Sequence, residues 1–234
     1  MRITRHTLAD VADAAGVVIV IDVLRAFSTA AFALARGATE VVCVAAVDEA
    51  LAERERRPGS LAMGEVGGRP VAGFDLDNSP THMASADVAG RVLVQRTTAG
   101  TQGVVGAAGR AEALFAASFV CAEATVRAVV SLAPAHVALV ATGVDHRDGE
   151  EDRACGDYLA ARLLGETPHP DPYLARVRAS DAAQAFTAGD AHFPASDLDL
   201  ATDLDAVDVA LAADLGGRHP TLRPVRSPHL LPRH

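Results

Sequence analysis

The sequence predicts a three-layer α/β/α fold on a mainly parallel or mixed sheet. Three observations carry that prediction. Strand-like and helix-like runs alternate along most of the 234 residues, as in a sheet with crossover helices. Val17–Val23 (VVIVIDV) is a β-branched run, the mark of a strand buried on both faces. The apolar residues are mostly Ala, Val and Leu, with no Trp and 4% aromatics, which suits helices packed on strands better than an aromatic β-sandwich.

Each element follows from a local signal. After the Val17–Val23 strand, Ser28 and Thr29 are expected to cap a helix that Gly37 stops. Glu40–Ala45 is a second strand and Asp48–Arg57 a helix with its charges outward. Ser60–Gly64 is a short strand. It opens into an irregular loop through Gly64-Glu65-Val66-Gly67-Gly68 and Gly73–Pro80, too long to be a mere connection. Arg91–Gln95 is a strand running into Thr97-Thr98-Ala99-Gly100-Thr101, with a helix to about Gly109. Ala111–Ala116 reads as a strand, Cys121–Leu132 as a helix ended by Pro134, and His136–Ala141 as a strand. Beyond Gly143–Gly149, Glu150-Glu151-Asp152 opens a helix through Leu164. Pro168–Pro172 looks like a linker. Residues 1–166 are thus expected to form an α/β core. Residues 167–234 are expected to be a helical appendage packed on it, ending in an extended arm with Pro220, Pro224, Pro228 and Pro232.

Composition excludes several chemistries. All 21 basic residues are Arg, so no P-loop, Schiff-base or SxxK lysine exists, and a substrate anion must be held by arginine. A net charge of −9 without a basic cluster disfavours nucleic acid. Arg54, Arg56 and Arg57 alternate with Glu53 and Glu55 and read as a solvated helix end. The longest apolar run is far too short to span a membrane, and Asp10 and Asp13 before it argue against a signal peptide. Cys43, Cys121 and Cys155 are scattered and form no CxxC. A reducing cytoplasmic location is expected.

In an open α/β sheet, ligands bind beyond the carboxyl ends of the strands. The polar residues at those ends are Asp22 and Arg25, Glu65 and Asp75–Asn78, Thr97, Thr98 and Thr101, and Asp145 with Glu150–Asp152. Carboxylates without paired His or Cys suit Mg²⁺. A Thr/Gly loop opening a helix offers N–H groups to an anion. Together these describe a phosphate-ester site.

Four motifs recur in order: DVLRAFST (Asp22–Thr29), GEVGGRPVAGFDLDNSP (Gly64–Pro80), TTAGT (Thr97–Thr101) and EDRACG (Glu151–Gly156). Over roughly residues 17–165 they resemble the 2-phosphosulfolactate phosphatase family, the ComB-like phosphatases of coenzyme M biosynthesis. The resemblance implies an α/β fold and Mg²⁺-dependent hydrolysis of 2-phospho-3-sulfolactate to 3-sulfolactate. Three positions depart from the family pattern: Asp77 and Ala99 replace Gly and Asn, and Cys121 stands where Asn is usual. These bear on the substrate more than on the reaction type.

The expected catalytic residues are Asp22 (nucleophile or metal ligand), Arg25 (anion clamp) and Asp75 (acid or base). Asp22, Glu65, Glu151 and Asp152 are the expected Mg²⁺ ligands. Arg25, Asn78, Ser79, Thr97, Thr98, Gly100 and Thr101 are the expected substrate contacts. The expected partner is a small phosphorylated acid, with a homodimer possible. The alternative is a non-catalytic small-anion-binding or regulatory protein on the same scaffold. DLDN (Asp75–Asn78) is misplaced for a haloacid-dehalogenase nucleophile motif. The string Asp197–Asp208 lacks the Gly and terminal Glu of an EF-hand and reads as a solvated helix start. No His pair has zinc spacing, and His82 reads as a surface residue.

Overall fold

The computed structural model describes residues 1–143 and 149–226. Asp145, Pro228 and Pro232, all named above, lie outside them. In chain order the strands are β1 (Arg2–Thr7), β2 (Gly16–Ile21), β3 (Glu40–Cys43), β4 (Leu61–Gly64), β5 (Val92–Arg96), β6 (Ala111–Ala117), β7 (His136–Ala141), β8 (Ala210–Asp214) and β9 (Thr221–Val225). The α-helices are α1 (Ala26–Ala35), α2 (Val47–Arg56), α3 (Pro80–Met83), α4 (Gly100–Ala107), α5 (Ala122–Ser131), α6 (Glu150–Leu163), α7 (Asp171–Ala179), α8 (Asp181–Gln184) and α9 (Ala195–Ala201).

All the strands join one mixed sheet, in the order β1-β7-β2-β6-β8-β9-β3-β5-β4, flanked by helices. Two parallel blocks, β1-β7-β2-β6 and β3-β5-β4, are joined by the antiparallel β8–β9 hairpin. The β-branched run explains the central position of β2. Val18 and Val20 pack into the core on one face, with Phe27, Leu34 and Leu114. Val17, Ile19 and Ile21 pack on the other, with Phe119, Tyr158 and Leu159.

Four local expectations are corrected. The helix after β2 begins at Ala26, and Ser28 and Thr29 do not cap it. Their hydroxyls donate to the carbonyls of Val23 (2.8 Å) and Asn78 (3.1 Å), while the Asp22 carboxylate takes the Ala26 N–H (2.9 Å). The N-terminal strand β1 was not anticipated; its RITRHT sequence carries a single strong hydrophobe, as befits an edge. The expected linker is irregular only over residues 168–170; Asp171 and Pro172 already form the first turn of α7, where proline's missing N–H costs nothing. Finally, the described part of the expected C-terminal arm supplies β9, which forms a hairpin with β8 at the middle of the sheet. Pro224 hides it from sequence reading, because proline is foreign to central strands. Here β9 pairs with β3 only at Thr221 and Leu222, so Pro224 lies past that ladder. Arg56 and Arg57 are also less solvated in role than expected, since both bind the buried Glu53.

Candidate active site

Asp22 follows β2 and sits at the N-termini of α1 and α4, with the first turn of α6 nearby. Its Oδ1 accepts from the Ala26 N–H, and the Gly100 N–H also bonds to the carboxylate. Gly100 makes that approach possible, since a Cβ there would stand 2.7 Å from Asp22 Oδ2 and 2.6 Å from Ala26 Cβ. Burial pushes the Asp22 carboxyl up to about 7 despite these donors, and the charges of Glu65 and Glu151 push the same way. The buried Asp152 lies well above the usual range, through burial and then the charges of Glu151 and Asp22. The acids at this end of the sheet therefore repel one another in a dry setting.

Glu65 reaches the same space because Gly64 lets the chain turn sharply off β4. Gly64 has φ +133°, and a Cβ would stand 1.9 Å from the Arg96 carbonyl oxygen, so only glycine fits. The Glu65 carboxylate accepts from the N–H and hydroxyl of Thr98 (2.5 and 2.9 Å) and from the Gly68 N–H (2.5 Å).

Arg25 faces these acids across a cavity of about 170 Å³ lined by Asp22, Glu65, Asn78, Thr98 and Phe193 among others. The Arg25 side chain is 5% exposed. Its Nη1 donates to Asp197 Oδ2 at 2.6 Å and to the His192 carbonyl at 2.9 Å. The rings of Phe186 and Phe193 lie 5.3 and 4.8 Å from its centre, within cation–π range. A larger cavity of about 520 Å³ runs along β1, β7 and α6. Two of its arginines, Arg5 and Arg176, are already tied to Asp157, so it offers less free charge to an anion.

The structure thus gathers Asp22, Arg25, Glu65, Asn78 and Thr98, with Glu151 and Asp152 behind Asp22. It places several expected contacts elsewhere. Asp75 covers the edge of β4, accepting from the Ala62 N–H (2.8 Å) and Arg54 (3.3 Å), and lines a different hollow. Thr97 and Thr101 are buried and staple each other, Thr101 N–H to Thr97 Oγ1 and Thr97 N–H to Thr101 Oγ1. Ser79 caps α3 and donates to Asp197 Oδ1 (2.7 Å). The N–H groups of Thr98 and Gly100, expected to cradle a substrate anion, instead hold Glu65 and Asp22. The protein's own carboxylates fill the helix-terminal nest that the sequence assigned to substrate. Asp77 pairs with His82 (2.7 Å), and Cys121 is buried away from the cavity lining. Ala99 does line the cavity.

Sequence reading missed Asp197. It is fully buried and gathers Arg25, Ser79 and the Thr81 N–H (2.9 Å), rather than standing in solvent at a helix start.

The donor set fits a hard divalent ion in part. Among the described residues no three His, Cys, Asp or Glu side chains form a ready-made metal cage. Mg²⁺ rarely uses one, keeping water and substrate oxygens in its shell. A carboxylate has about four lone-pair positions. Asp22, holding two N–H groups, keeps the most capacity. Glu65 and Asp152 each accept three bonds and keep less: Glu65 holds the groups named above, and Asp152 binds the N–H groups of Val23 (2.8 Å) and Thr142 (3.1 Å) and the Thr142 hydroxyl (3.3 Å). Asp152 thereby clamps the ends of β2 and β7, and it does not line the cavity that Asp22 and Glu65 share.

A family model described as 2-phosphosulpholactate phosphatase matches residues 3–202. A Bacillus subtilis protein named "Probable 2-phosphosulfolactate phosphatase" is 35% identical over 182 residues, covering 77% of each chain. Proteins of the same name from Deinococcus radiodurans and Thermus thermophilus are 40% and 39% identical, covering 63% and 66% of this chain and 62% and 65% of their own lengths. The chain belongs to the 2-phosphosulpholactate phosphatase family, a family of phosphoric monoester hydrolases.

Proposed function

We propose that the protein hydrolyses the phosphomonoester of a small 2-hydroxy acid, 2-phospho-3-sulfolactate, with Mg²⁺. Water attacks phosphorus, the P–O bond to C2 breaks, and the leaving oxygen takes a proton. The products are 3-sulfolactate and inorganic phosphate. One observation carries the reading: a single small cavity sets the acids Asp22 and Glu65 against the donors Arg25 and Asn78. A lone anion would be repelled by the acidic wall, whereas an anion arriving with a divalent cation suits both walls.

Asp22 and Glu65 are the residues to hold Mg²⁺, with Glu151 adding negative potential behind Asp22. Bound there, Mg²⁺ supplies charge neutralisation for the phosphoryl oxygens and a template for the attacking water. Arg25 and Asn78 hold the anionic groups of the substrate at the opposite wall. The rings of Phe186 and Phe193 exclude water from the guanidinium, which strengthens its bonds to an anion. Asp22 Oδ1 stays fixed by the Ala26 N–H and so keeps its orientation when the carboxyl loses its proton. This reading also carries a cytoplasmic role in coenzyme M biosynthesis. No described helix is long and apolar enough to cross a membrane.

The test is phosphate release from 2-phospho-3-sulfolactate by the purified protein, with Mg²⁺ and then with EDTA. Turnover that EDTA abolishes and Mg²⁺ restores is expected. Binding of the substrate without release would favour the non-catalytic alternative, and full turnover after chelation would remove the metal.

A further inference from the structure

We propose that Asp197 is a positioning residue, by which the C-terminal segment aims the Arg25 guanidinium at the substrate anion. The inference deepens the reading above and rests on it for the identity of the anion. Asp197 lies 172 residues from Arg25 in sequence and touches the cavity only through others. Its Oδ2 takes one Nη1 hydrogen of Arg25, and the His192 carbonyl takes the other. Nη1 is then saturated. The Nε–Nη2 edge is left as the bidentate donor edge. Among the described residues, the one hydrogen-bonding contact of that edge is a 3.5 Å approach of Nη2 to the Gly68 carbonyl, at the limit of a hydrogen bond.

Three features fix that edge in place. The two Phe rings restrict the plane of the guanidinium, and these rings and the His192 carbonyl come from the segment just before α9. Asp197 Oδ1 is itself anchored by the Ser79 hydroxyl and the Thr81 N–H, so the carboxylate cannot swing. Ser79 adjoins the cavity residue Asn78, which ties both donors of the anion wall to one buried carboxylate. Because Asp197 neutralises Arg25, this wall works by directed hydrogen bonds more than by net charge.

Asn at position 197 has only one oxygen acceptor and cannot serve Arg25 and Ser79–Thr81 together. Asp197→Asn should therefore misaim Arg25 without removing it. The experiment is a double-mutant cycle of Asp197→Asn with Arg25→Lys. Lysine keeps a cation beside Asp197 but lacks the side-on fork. Inorganic phosphate binding by calorimetry in the presence of Mg²⁺ and the kinetics of 2-phospho-3-sulfolactate are both read. Arg25→Lys should weaken phosphate binding about tenfold or more, and Asp197→Asn by roughly three- to tenfold. The double variant should be no worse than Arg25→Lys alone, the non-additivity of residues acting as a unit. Phe193→Leu, which loosens the stack and leaves the ion pair, should weaken phosphate binding in the same direction; it decides the matter should Asp197→Asn fail to fold. Phosphate affinity within twofold of wild type for Asp197→Asn, or for Phe193→Leu where that variant decides, or a fully additive cycle, overturns the proposal. A wild type that binds phosphate but releases none from the substrate defeats the activity reading alone, and the phosphate cycle still decides for Asp197. A wild type that binds no phosphate defeats both.

Discussion

Asp22→Asn removes the charge at the centre of the acidic cluster while keeping its shape, and its effect on stability has a definite pH dependence. In the folded protein the carboxyl is pushed from 3.8 up to about 7, first by burial and then by Glu65 and Glu151. The folded state thus binds this proton more tightly than the unfolded state. The resulting stability is fully present below pH 3.8 and is lost as pH rises through about 7. Each pH unit of that gap is worth ~1.4 kcal/mol, so the metal-free protein should lose roughly 4 kcal/mol between pH 4 and 8 from this group alone. Asp152, shifted in the same direction, adds a slope that the variant retains in the part due to burial and Glu151 and loses in the part due to the Asp22 charge. Urea denaturation in EDTA from pH 5 to 8.5 measures the difference between wild type and Asp22→Asn. That difference should move in favour of the variant by several kcal/mol across the range. Adding Mg²⁺ at pH 8 should stabilise the wild type and leave the variant nearly unchanged. A difference flat within about 0.5 kcal/mol, near the error of additive sites, would show that Asp22 feels neither the burial nor the charges described.

Three further outcomes follow from the same geometry. Arg25→Ala should lower kcat/KM by roughly 10²–10³ and, by leaving Asp197 buried without its cation, destabilise the fold by about 3–5 kcal/mol; steady-state kinetics and denaturation on one preparation check both. Asp75→Asn should keep kcat/KM within about twofold, the range of a residue outside the reacting atoms; loss of turnover with an unchanged melting temperature would return Asp75 to the site. Burial pushes Glu53 up, but its hydrogen bonds to Arg57 and Arg56 outweigh that and hold it below its ordinary 4.5. The stability it contributes is present above pH 4.5 and lost as pH falls through its folded value, so Glu53→Gln should flatten acid unfolding measured by circular dichroism below pH 5.

The local parts were legible in the residues themselves. The VVIVI run placed β2 between two cores because β-branched residues on both faces have nowhere else to go. Asp22, Glu65 and Thr98 were legible because each follows a strand or opens a helix, and such ends collect ligands. Which polar groups remain for a ligand depends on how the folded chain pairs them. Thr97 and Thr101 sit in the right motif, yet they bond to each other. Asp152 and Asp75 have the right chemistry, yet backbone N–H groups at strand ends and edges take their oxygens. Asp197 looked solvated because acids at helix starts usually are, and nothing local marks a carboxylate whose partner lies 172 residues away. The β8–β9 hairpin was hidden for the same reason. Strand pairing between distant segments leaves only a weak alternation in sequence, and Pro224 contradicted it until the register showed that β3 ends first. Hydrogen-bond partners are exclusive, and which group takes which partner is settled by the whole chain at once.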